Sequence, residues 1–291
     1  MATTSTTTRT GKILIYDGDC PMCRATIARL LAWRLVWPEQ TVSNHELSAD
    51  DLTAARAAGL RNELIVLDPA TGELRRGTDG LLWIVRDNRR QRFLVSVLSL
   101  AGFRHVLRLG YQTIAYNRRI ISPPETRIVC DCEPELTGAR RMMLVVPALV
   151  FNAVVLCGSG AALFAATGWD RPLDGALAFA ASIVAIGLVL GMAALVGMPR
   201  EKRLDYLGHV AVTLFCGATA FLPIAMLAAF LPREWAMAGF ALSAAVSLMI
   251  SIAMQPRRVA ALGLHQAWVL VWVLAAVSAG GACLATAAWL R

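Results

Sequence analysis

Charged side chains are scarce in the second half of this chain. Only 16% of the 291 residues are Asp, Glu, Lys or Arg. Runs without any of these span residues 142–169, 175–199, 206–232, 235–256 and 259–290. Each run exceeds the roughly 20 residues that cross the hydrocarbon core of a bilayer, which excludes an ordinary soluble protein. The composition therefore predicts a transmembrane domain over residues 142–291.

The uncharged runs predict an all-α bundle of five transmembrane helices. The expected spans are residues 143–166, 174–198, 207–231, 235–254 and 267–290. Small residues recur at four-residue spacing, as in Gly239, Ser243, Ser247 and Ser251 of the fourth span, and this spacing lets helices approach closely. Because the uncharged runs contain no carboxylate, they indicate a packed bundle without chemistry of its own.

The N-terminus lacks the apolar stretch of a secretory signal peptide, and residues 1–10 are expected to form a disordered tail. Basic residues on the side of the N-terminal domain outnumber those on the other side. They are Arg140, Arg141, Arg200, Lys202, Arg203, Arg257 and Arg258 against Arg171, Arg233 and Arg291. Since basic loops stay inside, we expect a cytoplasmic N-terminal domain and an outward C-terminus. The Ala- and Arg-rich composition suggests, by analogy, a bacterial inner membrane.

One short stretch near the N-terminus carries the strongest chemical signal. Ile13, Leu14 and Ile15 form an apolar run typical of a buried strand. Beyond Cys20, in the Cys-Pro-Met-Cys sequence of residues 20–23, the apolar residues from Met22 onward fall on helical spacing. This predicts Cys20 at the helix N-cap, Pro21 at the first helical position and Cys23 one turn further. A strand, a turn and a helix that opens with two cysteines is the layout of a dithiol–disulfide site.

The positions of the two cysteines suggest different roles. We expect Cys20 to be exposed and to be the attacking thiolate, because helix N–H groups and the helix dipole favour a negative sulfur there. Cys23 would resolve the mixed disulfide from the helix underside. Asp17 or Asp19 would accept its proton, or else would only shape the turn, and Arg24 would favour the thiolate. A structural Cys pair or half a zinc site stays open as an alternative.

The stretch Tyr16–Cys23 resembles the signature of the DCC family of thiol–disulfide oxidoreductases, a thioredoxin-like group. Leu64–Glu73, Gly77 and Gly110–Arg118 resemble later segments of that family, and the resemblance covers residues 11–121. It implies a thioredoxin-like fold and a redox-active CxxC motif. Two features depart from the pattern. The usual Gly-x-x-Ala is Gly77-Thr-Asp-Gly80 here, and no proline lies between Pro38 and Pro69 to serve as the cis-proline of a thioredoxin.

Residues 11–121 are predicted to form an α/β domain in the order strand, helix, strand, helix, hairpin, helix. The hairpin is expected from Glu63 to Arg76, and Thr78 or Asp79 is expected to cap the helix that follows it. A linker over residues 122–141 then leads to the transmembrane domain.

The remaining cysteines give weaker signals. Cys130 and Cys132 lie in the linker and are predicted to be a second redox pair, although a zinc site shared with Cys20 and Cys23 and two free thiols are alternatives. Cys157, Cys216 and Cys283 fall singly in three spans, where small packing residues are expected. His209 and His265 near span ends are expected to have no role, although binding of a headgroup, a haem or a quinone is an alternative. We predict no cofactor and no bound metal.

A basic amphipathic segment, residues 86–119, closes the N-terminal domain. It contains eight arginines and one acidic residue, Asp87, beside a broad apolar face. Because the chain already meets a membrane, we expect this segment to lie on an anionic lipid surface. Packing of the apolar face on the sheet is the alternative. Binding to nucleic acid is not expected.

The sequence thus predicts a membrane-anchored thiol–disulfide oxidoreductase whose cytosol-facing dithiol acts on an unidentified protein partner. Two functions of other classes stay open. One is a non-enzymatic membrane scaffold or assembly factor with a Cys-rich face for a protein or a metal. The other is electron transfer across the membrane through the bundle.

Overall fold

The computed structural model describes residues 11–88, 91–123, 138–166, 199–265, 268 and 270. The chain divides into two compact units, residues 1–140 and 141–291. The predicted tail, most of the predicted linker and almost all of the predicted spans 174–198 and 267–290 lie outside the described residues.

Four short strands form the sheet of the N-terminal unit. They are β1 (Ile13–Tyr16), β2 (Thr41–Ser43), β3 (Ile65–Leu67) and β4 (Leu74–Arg76), in the order β2-β1-β3-β4. β1 runs parallel to β2 and antiparallel to β3, with Ile15 beside Val42 on one side and Ile65 on the other. β3 and β4 pair as the predicted antiparallel hairpin. The apolar run therefore lies in a central strand, where both faces are buried.

Helices cover both faces of this sheet. They are α1 (Pro21–Ala32), α2 (Ala49–Ala57), α3 (Gly77–Val85), α4 (Arg92–Leu98), α5 (Ala101–Tyr116) and α6 (Arg118–Ile121). Alternate strand residues point to opposite faces, so Leu14 packs with α1 and α3 while Ile13 packs with α2. The predicted order of strands and helices is confirmed.

The helix after the hairpin starts differently from the prediction. α3 begins at Gly77 and has no side-chain cap, so the assignment of Thr78 or Asp79 as its cap is wrong. Asp79 instead accepts hydrogen bonds from Arg104 and Arg108 of α5, at 2.8 and 2.5 Å. Two arginines of the predicted basic segment therefore bind α5 to α3.

α4 and α5 meet at an angle of 86°, and the corner between them exposes apolar side chains. Phe93 is 82% exposed and Val106 is 67% exposed. Leu94, Leu100, Phe103 and Ile114 are each at least half exposed. We call these six residues the α4–α5 apolar face.

The described part of the C-terminal unit consists of helices. They are α7 (Gly138–Ala166, of which Arg141 onward lies in this unit), α8 (Arg200–Thr219), α9 (Leu222–Leu227) and α10 (Arg233–Ala261). α7 and α10 are long and apolar enough to cross a membrane and coincide with the first and fourth predicted spans. The third falls on α8 and α9, which bend by 43° just before Pro223. With the corner of α4 and α5, the described residues offer two to four spans. The count of five stays a prediction.

Small and polar residues join the helices of this unit. A Cβ added at Gly217 of α8 would lie 2.8 Å from Ser247 Oγ of α10, so the stripe of small residues does permit close approach. Arg141 binds Asp205 at 2.6 Å, and Arg258 lies 3.0 Å from the His209 ring. Because Asp205 and His209 lie one turn apart on α8, these two arginines lie near the same end of that helix.

Candidate active site

The dithiol lies where the turn after β1 enters α1, and residues that are neighbours in the sequence determine this position. Cys20 has extended backbone angles and serves as the N-cap of α1, and Pro21 occupies the first turn. The N–H of Cys23 donates to Cys20 Sγ at 3.5 Å, which is the bond that an N-cap side chain normally accepts. The predicted positions of both cysteines are confirmed.

The turn before Cys20 is tightly closed. Asp17 Oδ1 accepts a hydrogen bond from the N–H of Asp19 at 2.9 Å, and the N–H of Gly18 donates to Asn44 Oδ1 at 2.9 Å. A Cβ on Gly18 would lie 3.0 Å from the His45 ring. The turn therefore fixes the direction in which the chain enters α1, and with it the position of the Cys20 sulfur.

Both sulfurs are buried. Cys20 is 3% exposed and Cys23 is 6% exposed, and both belong to the core formed by Leu14, Ile27 and their neighbours. The expectation of an exposed Cys20 is therefore wrong, whereas the inward position of Cys23 is confirmed. The physical reason is that an N-cap position fixes the backbone, while the exposure of its side chain depends on what packs around the start of the helix.

The two thiols differ in acidity. The pKa of Cys20 falls to about 6, chiefly because the Cys23 side chain donates a hydrogen bond to its sulfur; burial acts against this, and the charge of Arg118 supports it. The pKa of Cys23 is raised, first by that same hydrogen bond and then by burial and the Cys20 charge. A thiolate at position 20 next to a protonated thiol at position 23 is the arrangement that exchange chemistry needs.

The two turn aspartates have different surroundings. Asp17 is 1% exposed, and its Oδ2 atom has no hydrogen-bond partner among the described residues. The negative charge of Asp17 raises the pKa of Cys23. Asp19 is partly exposed and its Oδ1 lies 3.0 Å from His45 Nε2. Of the two predicted proton acceptors, Asp17 is the one near the buried thiol.

One residue of the site, Arg118 of α6, was not predicted from the sequence. It is 5% exposed, its Nη1 lies 3.6 Å from Cys23 Sγ, and its Nη2 donates to the carbonyl of Arg61. Arg24, the cation predicted to act here, is exposed and does not contribute to the lowered pKa of Cys20. A signal was present, because Arg118 ends the segment Gly110–Arg118 that resembles the family.

The backbone at the start of β3 is occupied by intramolecular partners. The N–H of Leu64 donates to Tyr111 Oη at 2.9 Å, and its carbonyl accepts from the N–H of Gly77 at 2.8 Å. Gly77 has φ of +55°, and a Cβ there would clash with Glu63 and Tyr111. No described peptide bond is cis, so the described residues contain no cis-proline loop.

Gly80 explains one departure from the family pattern. A Cβ at this position would lie 2.8 Å from the carbonyl oxygen of Arg75 and 3.0 Å from Val66. An alanine would therefore require the backbone of β4 to shift, so glycine fits the close approach of α3 to β4 at this position.

The other predicted cysteines do not join the dithiol in the described part of the chain. Cys130 and Cys132 lie outside it, as does Cys283, so their predicted roles are untested. Cys157 lies in α7 and Cys216 in α8, each without a disulfide. Among the described residues, no group of three or more His, Cys, Asp or Glu could hold a metal.

A mixed four-stranded sheet with a CxxC dithiol at the start of its first helix defines a thioredoxin-like domain. Residues 14–122 match the family model described as DCC1-like thiol-disulfide oxidoreductase. The match confirms, for the N-terminal unit, the resemblance drawn from the sequence, and it does not extend to the C-terminal helices. No curated protein and no solved structure matches the chain.

Proposed function

We propose that this protein is a membrane-anchored thiol–disulfide oxidoreductase that uses Cys20 and Cys23 on a disulfide of a protein partner. The observation that carries the proposal is the placement of the two thiols, with Cys20 as the N-cap of α1 and the N–H of Cys23 donating to its sulfur at 3.5 Å. The lowering of the Cys20 pKa to about 6 supports it. The family match of the N-terminal unit supports the same chemistry.

The exchange proceeds in two steps. The Cys20 thiolate attacks one sulfur of the partner disulfide, so a mixed disulfide forms and the other partner sulfur leaves with the electron pair. Cys23 then attacks Cys20 Sγ, which forms the Cys20–Cys23 disulfide and releases the second partner thiolate. The partner disulfide is reduced and the protein dithiol is oxidised. A dithiol reductant returns the protein to its starting state.

Burial of Cys20 constrains how a partner reaches it. A sulfur that is 3% exposed cannot contact an external disulfide without local opening. Pro21 next to it is exposed, so we propose that the first turn of α1 shifts to admit the partner.

We propose that Asp17 accepts the Cys23 proton in the second step. Asp17→Asn should then slow release of the second partner thiol about tenfold or more, as expected for loss of a general base. The measurement is single-turnover reduction of a peptide disulfide by the reduced full chain.

Asp19→Asn is the matched control, because Asp19 faces His45, and it should leave this step nearly unchanged. If Asp17 acts only as a nearby negative charge, Asp17→Asn will speed the second step instead, since that charge disfavours the Cys23 thiolate. Acceleration would exclude the base role.

We also propose that the dithiol domain faces the cytoplasm of a cell with the helical unit in its inner membrane. The bias of basic residues in the sequence supports this orientation. A reducing cytoplasm would maintain the dithiol.

We propose further that the α4–α5 apolar face contacts lipid. The basic contribution is smaller than the sequence suggested, because Arg104 and Arg108 bind Asp79 and Arg118 is buried. Arg86 and Arg92 remain exposed, and Arg92 directly precedes Phe93 of the apolar face. Since exposed apolar patches on a protein that already meets a bilayer favour insertion at its surface, lipid is the expected occupant, with anionic headgroups near these arginines.

A spin label at position 103 tests the lipid contact. The label is introduced by Phe103→Cys into the full chain without native cysteines, in nanodiscs with and without an anionic lipid. We expect it to be accessible to oxygen and shielded from a water-soluble nickel chelate, more strongly with the anionic lipid.

A label at Leu74→Cys, on the exposed strand β4, should stay accessible to the nickel chelate. If the label at position 103 behaves in the same way, the face does not contact lipid. Shielding from both reagents would indicate that protein covers it.

A further inference from the structure

Arg118, which contacts the dithiol, is almost completely buried in the domain. Arg118 is 5% exposed. Among the described residues, it contacts a sulfur and a carbonyl oxygen and forms no ion pair with a carboxylate. Its Nη atoms contact the Cys23 sulfur and the Arg61 carbonyl, and its Nε has no hydrogen-bond partner among the described residues. Burial of a guanidinium without a carboxylate is unfavourable, so its position beneath the second cysteine calls for a functional reason.

Other groups around Cys23 come from several elements. Asp17 from the turn after β1 and Cys20 at the N-cap of α1 carry negative charge, and both raise the pKa of Cys23. Tyr111 of α5 interacts electrostatically with Cys23 and with Arg118. Arg118 is the cation that favours a negative sulfur at position 23.

The balance around Cys23 changes during exchange. In the free dithiol, Cys23 keeps its proton because it donates a hydrogen bond to the Cys20 thiolate and because that thiolate repels a second charge. When Cys20 is joined to a partner, its charge is gone and both effects weaken. The Arg118 guanidinium remains 3.6 Å from the sulfur. At that stage a positive charge can stabilise the Cys23 thiolate.

We propose that Arg118 is the positioning residue of the resolving step, which holds the Cys23 sulfur and stabilises its thiolate within the mixed disulfide. This inference rests on the proposed exchange function. Cys23 gives its proton to a base and its thiolate attacks Cys20 Sγ. The Cys20–Cys23 bond forms, the bond between Cys20 and the partner sulfur breaks, and that sulfur leaves with the electron pair. Arg118 keeps its own proton throughout.

Ellman's reagent, a small aromatic disulfide, separates the two steps in one experiment. Attack by Cys20 releases one coloured thiolate, and resolution by Cys23 releases the other. The full chain is used with its remaining cysteines replaced by serine, so that both phases belong to the dithiol. The variants are Arg118→Met, which removes the charge, Arg118→Lys, which keeps it, and Arg24→Met, which removes an exposed charge next to Cys23.

We expect Arg118→Met to slow the second phase about tenfold or more, because each unit of pKa is a tenfold change in thiolate fraction below the pKa. The first phase should change much less, since the Cys20 pKa depends chiefly on Cys23. The pH dependence of the second phase should move to higher pH. Arg118→Lys should restore most of the rate, and Arg24→Met should leave both phases unchanged.

Three results would overturn the proposal. The second phase of Arg118→Met could keep its rate and its pH dependence, Arg118→Lys could be as slow as Arg118→Met, or Arg24→Met could have the same effect. If the parent protein releases no coloured thiolate from Cys20, the exchange function itself fails. A normal first phase with an unaffected second phase removes only the role of Arg118.

A second measurement does not depend on folding of an Arg118 variant. In Cys20→Ala with Arg118 intact, the NMR signals of the Arg118 guanidinium should follow the ionisation of Cys23 as pH rises. If Cys23 ionises and these signals do not respond, the guanidinium does not stabilise the thiolate and the proposal is wrong.

Discussion

Cys20→Ser should abolish disulfide exchange, whereas Cys23→Ser should stop it halfway. A serine hydroxyl at position 20 is not ionised near neutral pH, so attack on a disulfide should fall by about a thousandfold or more, as for loss of a thiolate nucleophile. With Cys23→Ser, attack by Cys20 proceeds and the mixed disulfide persists, because no second thiol resolves it. The measurement is covalent capture of a protein partner by the full chain in membranes, followed on non-reducing gels.

The double variant Cys20→Ser/Cys23→Ser controls for capture by other cysteines. Capture that persists in it would come from elsewhere in the chain. If Cys23→Ser captures no more than this control does, the exchange function is wrong, and the scaffold and electron-transfer alternatives become the better explanations. Zinc bound at one equivalent would favour the scaffold, and a bound quinone or haem would favour electron transfer.

Local chemistry is why the start of the site could be predicted. The run Ile13–Ile15 is typical of a buried strand, Pro21 fits the first turn of a helix, and the cysteine before it is then expected at the N-cap. The structure confirms each of these positions. These inferences needed only residues that are neighbours in the sequence.

Tertiary packing decided what the sequence could not show. The exposure of Cys20 depends on core residues from distant parts of the chain, such as Val66 and Ile84. Arg118 is 95 residues from Cys23 along the chain, and in the sequence it was one of eight arginines in a basic segment. Two others of that segment were equally misjudged, because Asp79 binds Arg104 and Arg108. Composition identifies charge, but not the partner of each charge.

In the helical unit, too, the sequence pattern predicted helices but not the contacts between them. Long uncharged runs identified α7 and α10 as candidate spans, because length and hydropathy are properties of the sequence alone. The contact of Arg258 with His209, and of Arg141 with Asp205, joins different helices. Spacing along one helix could not reveal those pairs.

The reactivity of Cys20 should follow a low pKa that depends on a hydrogen-bond donor at position 23. In the parent protein, alkylation of Cys20 by iodoacetamide should rise with pH and level off above a midpoint near 6. Below the midpoint the rate should fall tenfold per pH unit, because the thiol is protonated. At pH 7 such a thiol is about nine-tenths ionised, against a few per cent for an ordinary cysteine with a pKa of about 8.5.

Two substitutions at position 23 separate the hydrogen bond from the thiol. Serine keeps a donor, so Cys23→Ser should retain the low midpoint. Alanine removes the donor, so the hydrogen bond no longer offsets the rise in the Cys20 pKa that burial causes. Cys23→Ala should therefore move the midpoint upward and slow alkylation at pH 6.5 about tenfold or more. Above the new midpoint the order should reverse, because a more basic thiolate is a stronger nucleophile. If both variants keep the parent midpoint, the Cys23 hydrogen bond does not set the acidity of Cys20. If both shift equally, the sulfur itself is required rather than a donor.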